Sequence, residues 1–193
     1  MTPPLPFSSA LEIAAAIRAG GTDSRTVTRH YLDRIERSPG LHAFVHVPAE
    51  RALALADAAD RLLAAGIVRG PLHGVPVAIK DAFAWEGTPL QAGSRTRPSE
   101  THVSERSSAV VQRLQAAGMV ILGKTAMTEY AFGLSGQNPT VGSARNPWDP
   151  SGTRAPGGSS SGAGSARSAS TARRRVGGPG AAAGGGVSVV GSS

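Results

Sequence analysis

Residues 167–193 are written with only seven residue types: Gly, Ala, Ser, Arg, Val, Thr and Pro. The segment has no acid, no Leu or Ile and no aromatic side chain. Without large apolar groups it buries too little surface to offset the backbone entropy of ordering, roughly 1–2 kcal/mol per residue. It is therefore expected to be a disordered low-complexity tail, leaving residues 1–166 to build a fold. That length suffices for one ordinary domain with a buried core. Aromatic residues make up only 4% of the chain, so the core must come mainly from Ala, Leu, Val and Ile.

The same tail carries much of the charge. The net charge is +7, yet Asp149 is the last acid, and Arg154, Arg167, Arg173, Arg174 and Arg175 all follow it. The first 150 residues hold 15 basic and 13 acidic groups. A near-neutral body with a basic tail is not the electrostatic footprint of a DNA-binding fold. The chain has no cysteine, which excludes a disulfide frame and a thiolate metal site. His30, His42, His46, His73 and His102 show no metal-ligand spacing, so neither a metal nor another cofactor is expected. No apolar run reaches the ~18–20 residues that cross a bilayer. Residues 1–6 have neither the basic nor the apolar stretch of a secretory signal. A cytoplasmic location and no membrane partner are expected.

Upstream of the tail, helix and strand patterns alternate. Ser9 and Glu12 make a capping box, each side chain able to satisfy the other's free backbone N–H. Ala10, Ile13, Ala14 and Ile17 then share one helical face, and Gly20-Gly21 stops the helix. Ser24 is expected to cap a second helix with Val27, Tyr31 and Ile35 inward, ended by Ser38-Pro39-Gly40. Residues 41–47 read as a short strand, and residues 49–65 as a helix with Leu55, Ala59 and Leu62 on its apolar face. The run 75–80 is apolar and β-branched, fitting a buried strand with Pro76 near its start or on an edge. A helix from Ser107 or Ser108 carries Val110, Leu114 and Ala117 inward, and residues 119–122 form a second buried strand. Strand, crossover helix and strand are the unit of parallel or mixed sheets, so the fold class is α/β. From Gly133 onward the turn signals Asn138-Pro139, Asn146-Pro147 and Asp149-Pro150 mark loop.

Two features carry chemistry. In Gly74-Val75-Pro76-Val77-Ala78-Ile79-Lys80-Asp81 an amine stands at the end of an apolar strand. Burial disfavours the charged form of lysine, so Lys80 can become a neutral proton acceptor. The plainer reading is a strand-end lysine that reaches solvent or pairs with Asp81. In Gly157-Gly158-Ser159-Ser160-Ser161-Gly162 the glycines permit unusual dihedrals and the serines supply hydroxyls that relay protons. Its plainer reading is a flexible linker. Lys124-Thr125 follows a glycine, but no Gly-x-x-x-x-Gly precedes it, which argues against a phosphate-binding loop. Trp85 and Trp148 read as packing residues, and Arg173, Arg174 and Arg175 as incidental charge.

Taken in order, residues 71–81, Gly93-Ser94-Arg95, Leu122-Gly123-Lys124-Thr125, Met127-Thr128-Glu129-Tyr130-Ala131-Phe132-Gly133, Arg145-Asn146-Pro147-Trp148-Asp149-Pro150 and Pro156-Gly157-Gly158-Ser159-Ser160-Ser161-Gly162 resemble the amidase-signature family. The resemblance spans about residues 11–166, with Ala126 where relatives often carry Asn. It implies a mixed central sheet covered by helices, of which this chain holds the first part. It also implies a Ser-Ser-Lys hydrolase of C–N amide bonds, with Lys80 as the base and Ser159 as the bridging serine, following a cis peptide at Gly158–Ser159. The implied partner is a small-molecule amide. No nucleic acid is expected unless the chain is the glutaminase component of a tRNA-dependent amidotransferase, and self-association is left open.

The resemblance fails at one place. The family's nucleophilic serine lies roughly two dozen residues past the bridging serine, in Gly-Gly-Ser followed by Ile or Val and Arg. Here Ala183 stands at about that position, and Ser188 sits between Val187 and Val189. Translation out of frame from about residues 165–167 would explain such a tail, and would leave the chain unstable and inactive. A basic binding module and an inert remnant are the readings from other classes.

Overall fold

A computed structural model describes residues 8–98, 101–149, 151, 154 and 156–172. The expected disorder of residues 173–193, and Ala183 and Ser188 with it, lies outside the described residues. Helix α1, Ala10–Arg18, starts at the expected capping box: Ser9 N donates to Glu12 Oε2 at 2.6 Å and Glu12 N to Ser9 Oγ at 3.2 Å. It buries Ile13, Ala14 and Ile17. Helix α2, Ser24–Glu36, is capped by Asp23 rather than Ser24, because the Asp23 carboxylate accepts from Thr26 N and Thr26 Oγ1. Ser24 is thereby free to tie the helix to the turn ahead of the next strand, its hydroxyl donating to the Gly74 carbonyl at 2.7 Å. The buried residues of α2 include Val27 and Leu32, while Tyr31 and Ile35 are only partly covered.

Strand β1, Phe44–His46, leads into helix α3, Ala49–Ala64. The face α3 buries is Ala52, Leu53, Ala56 and Ala59, rotated from the expected Leu55, Ala59 and Leu62. Small alanines let the helix lie close to Leu32, Val120 and Leu122, and that close packing outweighs the larger leucines. Strand β2, Pro76–Lys80, starts at Pro76, where a missing N–H costs least. Helix α4, Ala109–Ala116, has Ser108 at its N-cap and fully buries Val111, not Val110. In so short a helix two successive valines leave the phase open, and packing decides it.

Strand β3, Val120–Thr125, is buried at all six positions and extends past the expected 119–122 through Gly123-Lys124-Thr125. The sheet order is β1-β3-β2, with β2 parallel and β1 antiparallel to β3. Strand alternation sends Val75, Val77, Ile79 and Ile121 into one core with α1, Val27, Trp85 and Val111. Val120 and Leu122 point into a second core with α3. The fold is therefore mixed α/β.

Helix α5, Ser161–Ala172, crosses the boundary expected after Ala166. Ser161, Ala163 and Ser165 are buried and anchor its first turns. No Pro or Gly interrupts residues 165–172, so a nucleated helix can propagate.

Candidate active site

Because β2 and β3 are parallel, their C-terminal ends lie side by side, with Lys80 opposite Thr125 and Ile79 opposite Lys124. The sequence has 20 Lys and Arg residues, of which only these two are lysines. Lys80 is half-buried, and its Nζ donates to Ser159 Oγ at 3.0 Å. Burial pushes the Lys80 ammonium below the ordinary lysine range. The structure thus brings together the two residues singled out in the sequence.

Ser159 owes its position to the glycines around it. Gly158 takes φ 82° and its N–H donates to the Leu134 carbonyl at 2.8 Å. The Ser159 carbonyl accepts from Thr128 N at 3.3 Å. Gly162, in the first turn of α5, lies against the chain leaving β3: a Cβ there would stand 2.4 Å from Ala126 N and 2.5 Å from the Ala43 carbonyl. Glycine is the residue that lets α5 begin here and face Ser159 toward Lys80. The peptide bond between Gly158 and Ser159 is trans, not cis as the resemblance implies. Trans is the form favoured by about 2.5–4 kcal/mol in a non-proline bond.

Lys124 carries a role that sequence reasoning missed. Its side chain is fully buried, and its Nζ meets Asp81 Oδ1 at 2.7 Å and donates to the Pro89 carbonyl. Burial pushes its ammonium down while the Asp81 carboxylate pulls it back up. The Asp81 carboxylate is therefore engaged by Lys124, where the plainer sequence reading gave it to Lys80. A lysine inside a wholly buried strand was the available signal, since such a charge needs a partner.

Asn138, in sequence a turn signal, has a second role that sequence reasoning does not reach. It is buried, and its Nδ2 donates to the carbonyls of Gly93 and Met127, both at 2.8 Å. This joins the loop at 91–97 to the one at 127–134, and Tyr130 N donates to Ala92 O at 2.8 Å between them. Ala92, Tyr130 and Ala131 have φ of 52°, 48° and 60°, left-handed values that cost non-glycine residues on the order of 1–3 kcal/mol each. These strained loops are bonded to the Ser159 segment through Thr128 and Leu134. Phe132 and Leu134 on them are each 92% exposed. Trp85 is buried, with the Arg51 guanidinium 4.2 Å over its ring. Among the described residues no three His, Cys, Asp or Glu side chains gather as a metal site. No described helix is long and apolar enough to cross a membrane.

Chemically, a lysine amine hydrogen-bonded to a serine hydroxyl can pass a proton between that serine and a second group. Comparison with known proteins bears on that chemistry. The sequence model of the family described as Amidase matches residues 26–185. The A subunit of the Glutamyl-tRNA(Gln) amidotransferase of Acidothermus cellulolyticus is 48% identical over 153 residues, covering 79% of this chain and 30% of that relative. Among solved structures, the native peptide amidase of Stenotrophomonas maltophilia superposes with a TM-score of 0.74 at 35% identity, covering 85% of this chain and 35% of that one. A vestigial protein complex tied to the origins of an s-triazine catabolic enzyme gives a TM-score of 0.77 at 40% identity, covering 83% and 35%. The chain thus spans about a third of the length of these relatives.

Proposed function

Since this chain belongs to the amidase family, we propose that it carries the first part of a site that cleaves C–N amide bonds, with Lys80 as base and Ser159 as relay. The hydrogen bond of 3.0 Å between Lys80 Nζ and Ser159 Oγ supports this reading most directly. In the reaction a neutral Lys80 takes the Ser159 proton while Ser159 takes the proton of a second hydroxyl. That hydroxyl oxygen attacks the amide carbon, the proton returns along the same path to the departing amine, and water then cleaves the resulting ester by the same relay to release the acid. Backbone N–H groups near the nucleophile would hold the tetrahedral oxyanion.

The second hydroxyl is what this polypeptide lacks in the family's context, Ala183 standing near its place. We therefore propose that the 193-residue chain does not turn over amides, and that another reading frame of its gene encodes the missing Gly-Gly-Ser. The substrate of the full-length form would be a small amide met in the cytoplasm. The test is to sequence the locus, restore the frame and assay simple amides. The restored protein should hydrolyse them, and Lys80→Ala should lower kcat by about 10²–10⁴-fold. Absence of such a frame, or full activity in the Lys80→Ala protein, contradicts the proposal.

A second reading rests on the relative that serves in a Glutamyl-tRNA(Gln) amidotransferase. Under it the full-length form is the glutaminase component, releasing ammonia from glutamine and working with partner proteins and tRNA. Glutamine hydrolysis that appears only when products of neighbouring genes are added would favour this reading over a free-standing amidase.

A further inference from the structure

The chain's only two lysines stand at or one residue before the ends of neighbouring strands, and an acid, Asp81, directly follows Lys80. Asp81 is almost fully buried, and its backbone N–H donates to the Thr125 carbonyl at 3.1 Å. One carboxylate oxygen meets Lys124 Nζ at 2.7 Å, and the other, Oδ2, is buried without a hydrogen-bond partner. A buried carboxylate in this state must hold a cation or take up a proton.

We propose that Lys124 is a positioning residue for Lys80: by engaging Asp81 it leaves the Lys80 amine with a hydroxyl, Ser159, as its partner instead of a carboxylate. The proposal rests on the reading of Lys80 as a base. A base must shed its proton near neutral pH, and an adjacent unpaired carboxylate would hold that proton on. The other ionisable groups around the pair do not replace Lys124. Arg97 acts on Lys124 from the 91–97 loop, with its Nε committed to the Leu90 carbonyl at 3.0 Å. His46 on β1 is pushed toward its neutral form by burial, then by Lys124 and Arg51, against the opposing pull of Asp81. With Lys124 neutralised, Lys80 is the lysine left for Asp81.

The test uses the full 193-residue chain labelled with [13Cε]-lysine, which gives two side-chain signals. The midpoint of the Lys80 titration is followed in the parent, in Lys124→Met, in Lys124→Gln and in Asp81→Asn/Lys124→Met, each checked for folding by circular dichroism. Lys124→Gln keeps a donor for Asp81 and the Pro89 carbonyl, and serves where Lys124→Met does not fold. The expected result is a depressed Lys80 midpoint in the parent that rises by about one pH unit in the single variants, tenfold in the neutral fraction at fixed pH. It returns to the parent value in the double variant. A depressed midpoint that the single variants leave in place overturns the role of Lys124 while sparing Lys80 as a base. A midpoint that stays raised in the double variant overturns it too, since the cause would then be packing and not charge. An ordinary midpoint in the parent overturns the base reading, and this inference with it.

Discussion

The ends of β2 and β3 solve one problem in two ways. β2 ends on Lys80 and β3 carries Lys124 one residue before its end, and burial lowers both ammonium groups. On β3 the Asp81 carboxylate opposes that effect, and the charge stays inside as half of an ion pair. On β2 the Ser159 hydroxyl meets the amine, and among the described residues no acid opposes burial. Under the proposed reading, neighbouring strands hold one lysine for structure and another for proton transfer. The partner sets the role more than the depth does.

Removing one member of the β3 pair should have the largest effect. Asp81→Asn leaves Lys124 buried and unpaired, and should lower stability by about 3–5 kcal/mol in urea unfolding. The matching change on β2, Lys80→Met, removes a half-buried amine that pairs only with a hydroxyl. It should cost well under half as much, and equal losses would erase the contrast. Next comes Gly162→Ala, whose Cβ would meet backbone at Ala126 and Ala43. The clash should cost about 1–3 kcal/mol and move Ser159 away from Lys80. If the Gly162→Ala protein keeps its parent stability, α5 does not seat as closely as described.

Proton linkage gives a smaller effect with a definite sign. The folded chain holds the Lys80 proton less tightly than the unfolded chain does, so the unfolded state binds more protons between the depressed folded value and the ordinary one near 10.4. Stability should therefore rise with pH across that window relative to Lys80→Met, and be lost again as pH falls through the folded value. Urea midpoints at several pH values check the sign, and a falling difference contradicts it. Least affected should be Ser159→Ala, which removes one partly exposed hydrogen bond worth about 0.5–1.5 kcal/mol. Burial would still depress Lys80 in that protein, so its titration midpoint should stay below the ordinary value. A return to the ordinary value would make Ser159, not burial, the cause.

Much of this was readable from the residues, because the deciding interactions were local. The capping box at Ser9 and Glu12 and the apolar run ending at Lys80 each announce themselves within a few positions. The family resemblance, not the Gly-Gly-Ser-Ser-Ser-Gly stretch by itself, picks out Ser159, and the packing reason does not show, since Ala126 and Ala43 meet Gly162 only in three dimensions. Lys124 was hidden for a similar reason: its partner Asp81 is 43 positions away and beside a lysine that looked like the better match. Asn138 joins Gly93 and Met127 across the fold, and no periodicity marks such a clamp. The buried face of α3 turned on close packing, which hydrophobic spacing does not rank.

Exposed Phe132 and Leu134 fit a chain that spans about a third of its relatives, and they sit on the loops bonded to Ser159.

The most direct test of the account is the pH titration of the Lys80 side-chain carbon signal in the folded 193-residue chain. The account predicts a midpoint clearly below the ordinary lysine value of about 10.4, with the protein still folded at the midpoint. A midpoint at or above that value would show an amine that keeps its proton, and would contradict the role given to Lys80.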